Sequence, residues 1–200
     1  RQARIEQEVV ADLLSKSAGG RASVDSLPTW RNRLYDLLGI PRPVRYLNLR
    51  GKQITDDDLA RLKSLHRLEL LSLDECSITD NGVREIAKVP TLRSLSLVAC
   101  HGITDTSFIY IGRMRSLQYL DICWFPPKIT GRNIEHLSAL PNLGTLHLVD
   151  CPAMSDDAVE ALASLKQLDT LDIRGTAISE DGRRRLEIAL PNTIVLSSDF

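Results

Sequence analysis

The stretch LRSLSLVACHGITD, residues 92–105, decides how this chain folds. Its first half alternates. Leu95 and Leu97 are separated by one small polar residue, so both fall on one face of an extended strand. Its second half closes on Ile103, Thr104 and Asp105, a hydroxyl and an acid ahead of residues at helical spacing. The hydroxyl can accept from an unpaired first-turn amide, and the acid suits the positive end of the helix dipole.

The same pattern runs through the chain. The first strand leucine falls at Leu47, Leu71, Leu95, Leu120, Leu146 and Leu171, at spacings of 24, 24, 25, 26 and 25 residues. A further 25 residues lands on Leu196, in a degenerate closing copy. The downstream half recurs as Ile54-Thr55-Asp56, Ile78-Thr79-Asp80, Ile129-Thr130-Gly131, Met154-Ser155-Asp156 and Ile178-Ser179-Glu180. Each unit therefore reads as strand, turn, capped helix and tight return. One unit cannot bury its apolar face alone, so neighbours must stack.

Composition agrees with an array of this kind. Of 200 residues 43% are hydrophobic and only 4% aromatic, while 32 are leucine. Stacked equivalent turns favour one side-chain size at each rung, which explains the excess. The net charge of −1 argues against a dedicated nucleic-acid binder. No run of 18 apolar residues is present, so no membrane insertion by this segment is expected. The chain opens on Arg1 rather than Met, so a mature or truncated piece is expected, with which a membrane anchor ahead of residue 1 is compatible. The molecule is expected to be monomeric.

The period and the leucine offsets resemble the leucine-rich repeat family over residues 44–200. That resemblance implies an α/β solenoid: a right-handed horseshoe, with a parallel sheet on the concave face and helices on the convex face. Six full repeats and a closing half-repeat are expected. Cys76, Cys100 and Cys151 each lie three residues past the last strand leucine, where Lys52, Phe125 and Thr176 stand in other units. The family commonly places Asn, Cys or Thr there, pointing inward to satisfy loop backbone groups. Disulfide and metal roles are not expected, and no cofactor is implied.

Residues 1–43 do not repeat and read as an N-terminal cap. Ile5, Val9, Val10, Leu13 and Leu14 share one helix face, ended by Gly19-Gly20. Residues 21–25 read as a possible edge strand, and Pro28 to Leu38 as a second helix. This entry resembles the membrane-tethered leucine-rich-repeat proteins of planctomycete bacteria. The cysteine-bearing units are similar to repeats of eukaryotic F-box proteins, although residues 1–43 contain no F-box-like segment. The first resemblance implies a tethered bacterial protein; otherwise a cytoplasmic one is expected.

Function is sought on the outward strand positions, since every second residue shares a face. Tyr46, Asn48, Tyr119, Asp121, Cys123, His147, Asp172 and Arg174 fall there, with Trp124 and Asp150 at the strand ends. Exposed Trp and Tyr beside acids is the composition of a protein-binding hot spot. Trp124 either stands exposed as such a contact or folds over Phe125 or the next turn. The expected function is a non-catalytic scaffold that binds another protein on its concave face. A second reading is substrate recognition in a ubiquitin-ligase or organelle-assembly complex. A third is a thiol hydrolase in which Asp121 orients His147 and His147 activates Cys123. An open sheet without an oxyanion hole disfavours that chemistry, so no catalytic residues are assigned. Arg183, Arg184 and Arg185 read as a solvated helix face.

Overall fold

A computed structural model describes residues 2–16, 23–24, 43–124 and 128–198. The expected second helix over residues 28–38 and the inward slot of Phe125 lie outside the described residues.

Eight strands form one sheet in chain order: β1 (Ser23–Val24), β2 (Tyr46–Asn48), β3 (Leu70–Ser72), β4 (Ser94–Ser96), β5 (Tyr119–Asp121), β6 (Thr145–His147), β7 (Thr170–Asp172) and β8 (Ile194–Leu196). Strands β2 to β8 are parallel, and β1 runs antiparallel along β2. The parallel register is that of the repeat: Leu47, Leu71, Leu95, Leu120, Leu146 and Leu171 pair in turn, and each is essentially buried. Short helical segments return the chain along the other side of the core, among them Asp80–Ile86, Thr106–Ile111 and Glu180–Ala189. Each unit thus stacks on the last, which makes the chain an α/β leucine-rich repeat solenoid. The opposite face of the sheet, which carries the residues between the strand leucines, is open.

The closing copy departs from the expected register. Leu171 pairs with Val195, and Leu196 sits opposite Asp172 on the open face, 39% exposed. The last spacing is therefore one residue shorter than the leucine pattern suggests. A one-residue slip exchanges the two faces of a strand. Ile194, Val195 and Leu196 are all apolar, so polarity alone cannot fix that register.

The helix Gln2–Ser15 docks on the first unit through Val9, Val10 and Leu13, while Ile5 of the same face remains exposed. Ion pairs of Lys16 with Asp58 and of Arg61 with Asp12 tie it down.

The acids of the Thr-Asp pairs do more than complement a helix dipole. The Asp56 carboxylate accepts from the backbone amide and the hydroxyl of Thr79, one unit on. Asp80 does the same for Thr104, Asp105 for Thr130, and Asp156 for Ser179. Each acid clamps the helix-entry turn of its neighbour. The third residue after the clamped hydroxyl must clear that carboxylate. A Cβ at Gly82 would collide with Asp56 Oδ1, and one at Gly182 with Asp156 Oδ1. Ser107, in the equivalent place, instead donates its hydroxyl to Asp80. The series breaks at Gly131, which stands where an acid would reach Ser155; a Cβ there would meet the Ala158 methyl. An open groove of about 520 Å³ lies at that break, lined by Thr130, Arg132, Glu135, Ser155 and Asp157 among others.

Candidate functional site

The three units from β5 to β7 hold the densest polar arrangement of the open face. Register alone explains the grouping: Tyr119 pairs with Thr145, Asp121 with His147, and His147 with Asp172. Neighbouring strands stand about 4.8 Å apart, so side chains of moderate length meet.

Tyr119 is the hub. Its hydroxyl lies 3.0 Å from His147 Nδ1 and 3.3 Å from Asp121 Oδ2. The two rings meet edge to face, with centroids 5.2 Å apart. One phenolic proton cannot serve both partners. When it goes to Asp121, Nδ1 must carry a proton and donate to the phenol oxygen. Burial pushes the Tyr119 hydroxyl up to about 12, and the Asp121 charge adds to the rise.

Cys123 is less exposed than its strand position suggests, at 8%. Its thiol donates to Asp121 Oδ1 at 2.6 Å. Burial, that hydrogen bond and the Asp121 charge all push its pKa upward, which keeps the thiol protonated. The arrangement is the reverse of an activated nucleophile. Asp121 accepts from the thiol, His147 faces Tyr119, and no hydrogen bond joins His147 to Cys123 among the described residues. The thiol-hydrolase expectation therefore lacks its base–nucleophile pair.

Asp172 also differs from expectation, being only 1% exposed. Arg174 covers it, donating from its backbone amide, Nε and Nη2. Burial alone would raise the Asp172 carboxyl, but the Arg174 hydrogen bonds outweigh it and hold the group below the ordinary carboxylate value. Asp172 thus anchors Arg174 and presents no surface of its own. At the other end of the face, Asn48 accepts from the Arg50 amide and Arg50 pairs with Glu75. Tyr46 stands on β2, opposite Leu70, three strands from Tyr119.

Trp124 and Asp150 occupy the rim where each strand turns away. That position takes a left-handed backbone in unit after unit: Gly51, Glu75, Ala99, Trp124, Asp150 and Gly175 all have positive φ. Trp124 is 59% exposed, so it stands clear of the core rather than folding into it. Asp74, two residues beyond Ser72 on the outward row, is a further member of this face. It accepts from Ser72 and Ser96 hydroxyls and from the Val98 amide, bridging β3 and β4.

The remaining cysteines hold structural posts. Cys76 donates to Leu49 O at 3.2 Å, Cys100 to Leu73 O at 3.0 Å and Cys151 to Ile122 O at 3.5 Å, each to the preceding strand end. Burial pushes the Cys76 thiol up to about 11 and the Cys100 thiol up to about 12. The arginine run is neutralised by neighbours: Arg184 pairs with Glu180, Arg185 with Glu160, and Arg183 lies near Glu187. No helix among the described residues is long and apolar enough to cross a membrane.

No protein-family model matches the chain. A Trypanosoma equiperdum protein described as "Putative adenylate cyclase regulatory protein" is 31% identical over 160 aligned residues, covering 66% of this chain. The chain spans only 24% of that protein's length. Among solved structures, internalin C2 of Listeria monocytogenes matches with a TM-score of 0.41 and 17% identity, covering 86% of this chain and 93% of its own. Internalin InlF of the same organism matches with a TM-score of 0.48 and 15% identity, covering 99% of this chain and 70% of its own.

Proposed function

We propose that the chain is a non-catalytic scaffold whose concave sheet face binds another protein, centred on Tyr119, Asp121, Trp124, His147 and Asp150. The observation that carries this reading is the combination on β5 and β6: an exposed tryptophan beside a tied network of Tyr119, His147 and Asp121. Rigid aromatic groups lose little entropy on binding, and a network held in advance loses less still. The protonated thiol of Cys123 supports a binding role over a hydrolytic one. The regulatory description of the trypanosome relative accords with binding; regulation of a cyclase does not follow from a match to a quarter of that protein. Asp172 acts here through Arg174, and Cys123 through Asp121.

Alanine substitution of Tyr119, Trp124 and His147 together tests this placement. Partner capture from a native extract is expected to fail for the triple variant while its melting temperature stays within a few degrees of the parent. Undiminished capture would overturn the placement.

A further inference from the structure

The charge pattern of the open face is one-sided once its ion pairs are removed. Both cations of its outward rows are already engaged, Arg50 with Glu75 and Arg174 with Asp172. Three further carboxylates on the same face, Asp74, Asp121 and Asp150, form no ion pair with a lysine or arginine among the described residues, and His147 Nδ1 lies 4.0 Å from Asp121 Oδ2. Asp150 is exposed, and its neighbour across the rim is Trp124, whose amide donates to Val149 O at 2.9 Å. The rim positions on either side of this pair are Ala99 and Gly175, too small to cover it. Trp124, 59% exposed, and the exposed Asp150 therefore stand next to each other along the rim, with Asp150 Oδ1 lying against Gly175. An indole face attracts a cation through its quadrupole, and a carboxylate attracts the same cation through its charge.

Other occupants fit less well. An acidic partner would meet unpaired carboxylates of its own sign. An apolar helix would need a continuous apolar strip, but the exposed apolar residues of this face lie at separate places. Leu70 is on β3, and Ile194 and Leu196 are on β8, five strand spacings or about 24 Å away.

We infer that the open sheet face docks a basic segment of a partner protein, with one lysine or arginine seated between the Trp124 indole and the Asp150 carboxylate. The inference rests on the concave-face reading and deepens it by naming the partner's chemistry. Its mainly electrostatic character makes the affinity fall as salt rises.

Fluorescence anisotropy on the full chain tests it with three labelled probes: octaarginine, octaglutamate and a Gly-Ser octapeptide. At ~50 mM salt octaarginine is expected to bind at least about tenfold more tightly than either other probe. The double variant Trp124→Ala, Asp150→Asn is expected to weaken octaarginine about tenfold. A helix-side control, Glu135→Gln with Asp157→Asn, is expected to change it less than about twofold. Trp124→Gly keeps the test sound, because glycine relaxes the left-handed backbone; it should lose affinity like Trp124→Ala without losing thermal stability. Octaglutamate binding as tightly, no octaarginine binding, or an equal loss in the helix-side control would each overturn the inference. If octaarginine fails while partner capture still requires Tyr119, Trp124 and His147, the face docks a partner of different chemistry and only the inference falls. If neither depends on the face, the concave-face reading falls too.

Discussion

Asp80→Ala is the sharpest test of what couples one unit to the next. In the folded chain the Asp80 carboxylate accepts from the Thr104 amide at 2.9 Å, from the Thr104 hydroxyl at 2.7 Å, and from the Ser107 hydroxyl. Hydrogen bonds to a charged group contribute about 1.5–3 kcal/mol in favourable cases. Asp80 and Thr104 are half-buried, so water recovers part of their loss. Ser107 is buried, so its hydroxyl would be left without a partner, at a cost of about 1–3 kcal/mol. A loss of about 2–4 kcal/mol follows, which for a chain of this size lowers the melting temperature by about 5–15 °C. Urea unfolding and thermal melts, both followed by far-UV circular dichroism, measure it. Asp57→Ala is the control: Asp57 lies in the first turn of the helix Asp56–Leu59, is exposed, and should change stability by less than about 0.5 kcal/mol. If the two variants behave alike, the acids serve only the helix dipole and the clamp contributes nothing.

Further predictions concern register, acid, thiols and the break in the clamp series. Val195→Asp should cost more than about 2 kcal/mol while Leu196→Asp should cost less than about 0.5, since only Val195 faces the core; comparing their melts checks this. Asp58, Asp156 and Asp172 all titrate below the ordinary carboxylate value. Their folded-state pairing is therefore fully stabilising above pH ~4 and is lost as pH falls through their lowered values. Melts taken from pH ~6 down to ~2.5 should show that loss, with a shallower slope for Asp172→Asn. All four thiols should alkylate slowly in the folded chain at neutral pH and rapidly in denaturant, and His147→Ala should leave the Cys123 rate unchanged. A fast thiol slowed by that substitution would restore the hydrolase reading. Gly131→Asp should lower the melting temperature despite restoring an acid at the broken position, because Gly131 has φ +91° and its new Cβ would strike Ala158.

The repeat, its strand rungs and the outward rows were legible in the sequence, because a period of about 25 with alternating leucines admits one stacking. The last rung was not, because Ile194-Val195-Leu196 has no polar member to choose a face. Alternation told which face Asp172 and Cys123 occupy but not how deep they lie. That depth depends on Arg174 folding over one and on Asp121 holding the other. The clamp between units was hidden for a different reason. A Thr-Asp pair at a helix start satisfies the capping rules by itself, so nothing in it announces a second partner 24 residues on. The companion signal was Gly82 and Gly182, small residues placed where a neighbouring carboxylate must pass.

The central claim is that the sheet face, rather than the helix side, meets the partner. The most direct measurement installs a photo-crosslinking benzoylphenylalanine at Thr145 on the open face, or at Glu135 on the helix side, and irradiates each in native extract. The account predicts one discrete cross-linked protein from position 145, abolished by Trp124→Ala, and none from position 135. A cross-link from position 135 that survives Trp124→Ala, with nothing from 145, would contradict it.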